Sequence, residues 1–339
     1  MNLNYIGHNQ WHGQDFPNFF AKVQSKKWDK IILFCQNEWE WHMHDPVYFP
    51  QFYEYCKKIN QPIHVISGSH QYLYPVSLDN VIVHWWDTYW IGKTYQELIN
   101  KNQSTPINPY ALHEYKYHFI CMNNRPHHHR LLLIDLLAKH HLMEDNAISL
   151  HENSDLYEWQ YFNFKQLLLE PEFTIDKQQH RIPDQYYDSF AQLISESSSN
   201  TIMLSEKTAI PLIIGKPFLI AGQMHFHKFL QGLGFQLYDE IFDYSFDNES
   251  NEETRYEMLL ENFKKLQSVP LADLPSLHKT IAHKIDFNMK KARAIVYDLN
   301  LYPKIALEVI EYYKQTGIEI DKSLVRNHLM LEMYRDYDF

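Results

Sequence analysis

Two charged residues stand at the start of a short apolar helix near the middle of the sequence. Glu206 and Lys207 follow Ser205 and precede Thr208, and mostly hydrophobic residues then continue to Gly215. The first backbone N–H groups of a helix have no partner within the helix, and together with the helix dipole they favour an anion. A carboxylate beside an ammonium group suits a ligand that carries hydroxyl groups and a phosphate. Taken alone, the pair would equally be two exposed charged residues at a helix start, with no role in binding a ligand.

The residues that follow predict a tight turn and then a buried strand. The segment 217–221 is nearly all hydrophobic and ends at Gly222, a pattern typical of a parallel sheet covered by helices on both faces. Other runs predict strands at 3–6, 30–35, 62–67, 81–86, 117–122, 147–150 and 235–238. Helical periodicity is found at 15–27, 46–59, 94–100, 127–140, 228–232, 254–266, 277–297, 304–313 and 324–334. The segment 185–194 fits either a helix or a strand. Alternating strands and helices indicate a parallel α/β fold.

A polar run at 100–109 with two prolines and no periodicity marks a domain boundary. We therefore expect two Rossmann-like domains, at 1–110 and 111–300, facing a cleft, and C-terminal helices at 301–339. Ligands of open α/β sheets bind beyond the carboxyl ends of the strands. This rule directs attention to the loops after Cys35, Trp86 and Met122, which the helix start at Glu206 should join.

Composition narrows the classes of function. A net charge of −11 argues against a duplex-DNA binder with a broad basic surface, although a local basic groove stays open. Neither G-x-G-x-x-G nor Walker A is present. The three cysteines show no close metal-ligand spacing, which favours a reducing, cytoplasmic location. No signal peptide and no membrane span are predicted.

Histidine pairs and triplets occur at 42/44, 127–129 and 225/227, but the chain has 21 histidines and no accompanying Cys, Asp or Glu matches a known metal-ligand spacing. We therefore predict no metal site. Five tryptophans offer rings on which a sugar would stack, or else form ordinary core; they are Trp39, Trp41, Trp85, Trp86 and Trp90.

The central segment resembles the nucleotide-sugar half of fucosyltransferase-like glycosyltransferases. The elements that carry the resemblance are, in order, Ser205-Glu206-Lys207-Thr208, Pro211, Gly215-Lys216-Pro217-Phe218, Gly222 and the segment 229–235. Segment 239–247 is also similar, and 119–130 resembles the start of the second domain in uncharacterised and viral relatives. The similarity covers residues 117–270, whereas the first 110 residues do not align.

The resemblance implies a GT-B-type architecture, with the nucleotide-sugar donor bound by residues 111–300 and the acceptor on the side of residues 1–110. It implies no obligatory metal cofactor. In the Ser205–Thr208 motif it places Glu206 at the donor ribose and Lys207 at the phosphates. An arginine of the family contacts the diphosphate, and Arg125 or Arg130 would match it. Arg130 fits a solvated helix position equally well.

Glycosyl transfer needs positive charge for the leaving diphosphate and a base for the attacking hydroxyl. Glu38 and Asp87 rank level as the base, since each follows a predicted strand of the first domain; His42, His44 and Asp45 rank behind them. Lys216 is predicted to be an exposed turn residue.

The expected function is therefore a metal-independent glycosyltransferase, inverting by family analogy. Its partners would be a nucleotide sugar and a glycan or surface polysaccharide that offers a hydroxyl group. The alternatives are a viral transferase that glycosylates modified bases in DNA and a non-catalytic protein that binds nucleotides or carbohydrates.

Overall fold

The computed structural model describes residues 31–35, 50–68, 78–100, 104–111, 113–123, 127–150, 182–199 and 201–316, together with the helical positions Ala21 and Gln24. The chain divides into two compact units. The first unit combines residues 1–96, 201–204 and 295–339, and the second combines residues 97–200 and 205–294.

The first unit contains a parallel sheet of three described strands in the order β1-β2-β3. They are β1 (Ile31–Cys35), β2 (Ile63–Ser67) and β3 (Val81–Trp85). Its helices include α1 (Pro50–Lys57), the first part of α2 (Tyr89–Asn100) and α9 (Lys304–Thr316). Helix α9 belongs to the core, where Ile305 and Val309 pack with Ile32 and Ile66 of the sheet.

The described residues of the second unit form four parallel strands in the order β5-β4-β6-β7. They are β4 (Tyr117–Asn123), β5 (Ala147–Leu150), β6 (Ser189–Ser195) and β7 (Phe218–Ala221). Its described helices include α3 (His128–Lys139), α4 (Asp184–Asp188), α5 (Glu206–Ile214), α6 (Phe226–Gly232), α7 (Glu252–Gln267) and most of α8 (Leu274–Tyr297). Nearly every residue of these strands is buried, as expected for strands covered on both faces.

The boundaries of α5 follow from its sequence. The hydroxyl of Ser205 accepts a hydrogen bond from the Lys207 N–H at 3.2 Å and so caps the helix. Gly215 ends it in the left-handed conformation, with φ of +86°. A Cβ atom at Gly215 would lie 2.5 Å from the sulfur of Met289, so this position needs glycine both for its backbone angle and for space.

The mixed α/β class with parallel sheets is confirmed. The ambiguous segment 185–194 contains both structures, because α4 runs directly into β6. Helix α2 begins at Tyr89, five residues before the predicted start at 94. The predicted strand at 3–6 and the predicted helix at 324–334 lie outside the described residues, and of the helix at 15–27 only positions 21 and 24 are described.

The predicted strand at 235–238 is wrong. The Gln236 N–H and carbonyl both bond to the side chain of Asn288, each at 2.8 Å. The Tyr238 N–H donates to the hydroxyl of Tyr244 at 3.0 Å. Because side chains satisfy these backbone groups, the segment needs no neighbouring strand. None of the described helices is both long and apolar enough to cross a membrane.

Candidate functional site

The strand order of the second unit makes the carboxyl ends of β4 and β6 a topological switch point, and we call this region the crevice. The chain passes from β4 to β5 on one side and then crosses to β6 on the other side of β4. Connections that leave two neighbouring parallel strands in opposite directions open a crevice at their carboxyl ends, where α/β proteins bind ligands. Helix α3 follows β4 and helix α5 follows β6, so both helices begin at this end of the sheet.

Glu196, the residue directly after β6, is almost wholly buried, with 1% exposure. Its carboxylate accepts hydrogen bonds from the N–H groups of Ser197 at 3.0 Å and Ser205 at 3.3 Å, and from the hydroxyl of Thr208. Burial raises the pKa of Glu196, and the charge of Lys207 opposes that rise. The carboxylate therefore ties the loop after β6 to the first turn of α5.

The backbone carbonyl of Glu196 is bound from the other side by α3. It accepts hydrogen bonds from His129 Nε2 at 2.8 Å and from Arg130 Nη2 at 3.2 Å. Burial lowers the pKa of His129 to about 4, so the imidazole is neutral at neutral pH and donates through Nε2–H. The start of α3 and the start of α5 are thus held to the same residue at the end of β6.

Arg130 is not a solvated helix residue, so that interpretation is wrong. Its side chain is buried, with 3% exposure, because the guanidinium group turns inward to the carbonyl of Glu196. A buried guanidinium at the ends of the strands contributes positive charge to the crevice.

The charged pair that opens α5 lies beside the loop after β6, and we call this position the rim of the crevice. Lys207 Nζ donates to Ser197 Oγ at 3.0 Å and to Glu206 Oε1 at 3.1 Å. Both charged side chains are partly exposed, whereas Ser205 and Thr208 are fully buried and use their hydroxyl groups within the protein. Of the four motif residues, Glu206 and Lys207 are therefore the two that can reach a ligand.

The remaining predicted residues are distributed differently. Arg125, Glu38, His42, His44, Asp45, Trp39 and Trp41 lie outside the described residues. Asp87 is half-buried between β3 and α2 of the first unit. Trp86 and Trp90 belong to the core of that unit, and the Trp86 ring lies 4.5 Å from the ring of Tyr302. Trp86 and Trp90 therefore pack in the core, which was the alternative to stacking on a sugar. Trp85 is half-buried.

Lys216 is not an exposed turn residue, so that prediction is also wrong. Its side chain is buried at the amino end of the sheet, where Nζ donates to the carbonyl of Ser189 and lies 4.8 Å from the centre of the Tyr186 ring. Burial lowers the pKa of Lys216 to about 7. The side chain points inward to the carbonyl of Ser189, which accepts its hydrogen bond.

Several histidines of the described residues take part in the fold. His227 Nδ1 lies 3.0 Å from the carboxylate of Asp247, and its Nε2 accepts from the Ile220 N–H at 3.1 Å. The rings of His127 and His129 stack at 5.8 Å. Within the described part of the chain there is no group of three or more His, Cys, Asp or Glu side chains placed to hold a metal ion.

A second concave region of the same unit is an open groove of about 1320 Å³ beside α6 and the segment 234–248. Its Lys284 bonds to the carboxylates of both Asp239 and Glu240. Lys284 offsets only one of these two carboxylates, and the lining also contains Asp243, Asp247 and Lys228. The groove is therefore net negative and does not suit a diphosphate.

Sequence reasoning missed Glu196 and Ser197, and it missed the last residues of the two central strands, Asn123 and Ser195. The available signal was the run of polar residues that directly follows the mostly apolar segment 189–195. Because the pattern at 185–194 fits either a helix or a strand, it does not show where a strand ends.

No protein-family model matches the sequence, and no curated protein sequence matches it either.

Proposed function

We propose that the chain is a glycosyltransferase that binds a nucleotide-sugar donor in the crevice at the carboxyl ends of β4 and β6. One observation carries the proposal: the partly exposed Lys207 and Glu206 open α5 beside Glu196, whose backbone carbonyl accepts a hydrogen bond from the buried guanidinium of Arg130. Cationic groups suit a diphosphate, and a carboxylate suits the hydroxyl groups of a ribose.

In this proposal Lys207 stabilises the negative charge that grows on the leaving diphosphate. Glu196 already accepts hydrogen bonds from the first turn of α5, so the dipole of that helix is partly compensated. The ammonium group of Lys207 and the guanidinium of an arginine, Arg130 or Arg125, then supply most of the positive charge. Such preorganised charge acts mainly in the transition state. Glu206 orients the donor through its ribose.

The acceptor side belongs to the first unit. Asp87 or Glu38 would take the proton of the attacking hydroxyl group. The proposal includes two Rossmann-like domains that face a cleft, an inverting reaction without an obligatory metal, and a glycan or surface polysaccharide as acceptor.

The test starts with a thermal-shift screen against GDP-, UDP-, CMP- and dTDP-linked sugars, followed by calorimetric titration of the best probe. Lys207→Ala should weaken binding by about ten- to a hundredfold, since a hydrogen bond to a charged group contributes roughly 1.5–3 kcal/mol. The matched control is Lys116→Ala, which removes an exposed lysine paired with Asp188 at the opposite end of the sheet. Equal affinities for the parent and Lys207→Ala would contradict the proposed site.

Catalysis is tested separately by following the donor without an acceptor. Slow donor hydrolysis supports an enzyme, whereas tight binding without hydrolysis supports a non-catalytic binding protein. Transfer to hydroxylated DNA bases but to no glycan would support the alternative acceptor. Activity should persist in EDTA; complete loss that manganese restores would contradict a metal-independent reaction.

A further inference from the structure

Two buried polar atoms at the ends of the central strands have no hydrogen-bond partner among the described residues. They are Oδ1 of Asn123, the last residue of β4, and Oγ of Ser195, the last residue of β6. Each residue is 1% exposed. Most buried polar atoms are hydrogen-bonded, so two unpartnered atoms at the ends of neighbouring strands indicate a place where a ligand group would bind.

The register of the sheet brings these two residues together. The described pairing of β4 with β6 ends at Ile120 and Gln192, and continuing its offset to the last residue of each strand aligns Asn123 with Ser195. Neighbouring strands lie about 4.8 Å apart, and paired residues of parallel strands point to the same face. Phe119 lies on the same face of β4 as Asn123, because side chains alternate along a strand. The ring centre of Phe119 lies 4.6 Å from that of Phe263 in α7, so α7 covers this face.

The chemistry of the pair matches a hydroxyl group. Asn123 Nδ2 donates to Cys121 Sγ at 3.3 Å, and the backbone N–H and carbonyl of Asn123 bond to the hydroxyl of Ser149. The carboxamide oxygen therefore remains as an acceptor, while the hydroxyl of Ser195 can donate and accept. A ligand hydroxyl would accept from Ser195 and donate to Asn123. A phosphate oxygen has no hydrogen to offer Asn123.

We infer that Asn123 and Ser195 form a subsite for one hydroxyl group of the ligand, on the α7 side of the crevice. Lys207 and Glu206 belong to α5, and the carboxylate of Glu196 is hydrogen-bonded to the start of that helix. The inference rests on the proposed function, because it assigns the hydroxylated part of the donor to these residues and leaves the phosphates to the cationic groups. The hydroxyl group belongs either to the ribose or to the transferred sugar.

The experiment compares two serines of the same strand. Ser195→Ala removes a hydroxyl without a partner, so the melting temperature should stay equal or rise. The matched control is Ser189→Ala at the other end of β6, where the fully buried hydroxyl donates to the Gln185 carbonyl at 2.6 Å. The control should lower the melting temperature and leave ligand affinity unchanged.

Affinity is measured by calorimetry with the best nucleotide sugar of the screen and with its nucleoside diphosphate. Ser195→Ala should weaken binding by about tenfold, the effect of one lost hydrogen bond in a buried site. Asn123→Leu should weaken binding similarly. If Asn123→Leu does not fold, the result for Ser195→Ala alone decides the test. A loss with both ligands places the ribose hydroxyl here, and a loss with the nucleotide sugar alone places a hydroxyl of the transferred sugar here.

Two results would overturn the inference and leave the proposed function intact. In the first, Ser195→Ala lowers the melting temperature as much as Ser189→Ala, which would mean that the hydroxyl is already satisfied within the fold. In the second, Ser195→Ala binds both ligands like the parent although Lys207→Ala binds them more weakly. If the parent protein binds none of the probes, the proposed function fails and the inference fails with it.

Discussion

The two ends of the sheet in the second unit both bury polar side chains, but they do so in different ways. At the carboxyl end, Glu196 holds the starts of two helices, charged groups reach the rim, and two polar atoms have no partner among the described residues. At the amino end, Lys216, His278 and Tyr115 lie close to one another and bond within the protein.

Burial at the amino end drives its groups toward their neutral forms. The hydroxyl of Tyr115 lies 3.0 Å from His278 Nδ1, and its ring packs edge-on against Phe190. Burial lowers the pKa of His278 to about 4 and that of Lys216 to about 7, and it raises the pKa of Tyr115. The comparison teaches that a perturbed pKa alone does not identify a site, since the most perturbed amine of the unit lies in the end that serves stability.

The largest effect is expected where the carboxyl end depends on a single side chain. Glu196→Ala leaves two N–H groups and the hydroxyl of Thr208 without their acceptor. We expect a loss of about 3 kcal/mol in the free energy of unfolding, together with loss of donor binding. Urea unfolding and calorimetric titration measure the two quantities.

Glu196→Gln serves as the control for this variant. Its carboxamide oxygen still accepts from Thr208, but its NH₂ group faces another donor. An intermediate loss of stability is therefore expected, and a fully stable Glu196→Ala variant would show that this carboxylate does not organise the crevice.

At the amino end of the sheet, replacing the buried amine should increase the free energy of unfolding rather than reduce it. Lys216→Met removes a charge from an apolar site, so we expect it to unfold with about 2 kcal/mol more free energy than the parent at pH 6. Affinity for the donor should be unchanged.

The pH dependence of Lys216→Met makes the test specific. The folded pKa of Lys216 is lowered from 10.5 to about 7, so between these values the unfolded chain carries the extra proton. Stability of the parent should therefore rise with pH in this window, by up to about 1.4 kcal/mol per pH unit, so the advantage of the variant should shrink and then reverse. An advantage that is constant from pH 6 to 10 would contradict the lowered pKa.

One buried histidine at each end of the sheet allows the effect of a lowered pKa on stability to be compared between the two ends. Burial lowers the pKa of His129 and of His278 from 6.5 to about 4. As the pH falls from 6.5 to 4 the unfolded chain protonates first, so each histidine should reduce stability by up to about 1.4 kcal/mol per pH unit.

Replacing either histidine by phenylalanine should remove its share of this acid destabilisation, which urea unfolding at several pH values measures. The difference between the ends lies in binding. His129→Phe should weaken donor binding because the carbonyl of Glu196 loses a donor, and His278→Phe should not. Equal binding by both variants would break the distinction between the two ends.

The fold was more predictable from the sequence than the site. Hydrophobic runs identified most of the described strands because a strand buried on both faces has little room for polar residues. The strand expected at 235–238 failed because Asn288, distant in sequence, satisfies its backbone groups. Periodicity carries no information about such a partner.

The site illustrates the same limit. The start of α5 was predicted, since Ser205 and the charges after it form a local capping pattern. The inward turn of Arg130 and Lys216 was not, because each bonds to a carbonyl of β6 or of the residue directly after it. Whether a long cationic side chain is solvated or buried depends on which carbonyls the tertiary structure presents, and a local sequence pattern does not contain that information.

The smallest effect is expected for the hydroxyl of Tyr115, which tests whether the amino end serves stability alone. Tyr115→Phe keeps the edge-on ring contact with Phe190 and removes the bond to His278. The loss should be about 1 kcal/mol, or roughly 2–4 °C in melting temperature for a protein of this size. Donor affinity should equal that of the parent. Ser195→Ala should show the reverse pattern, with weaker binding and no loss of stability. If Tyr115→Phe weakened donor binding while melting like the parent, polar groups at the amino end would influence the crevice, and the division of the sheet into a stabilising end and a binding end would be wrong.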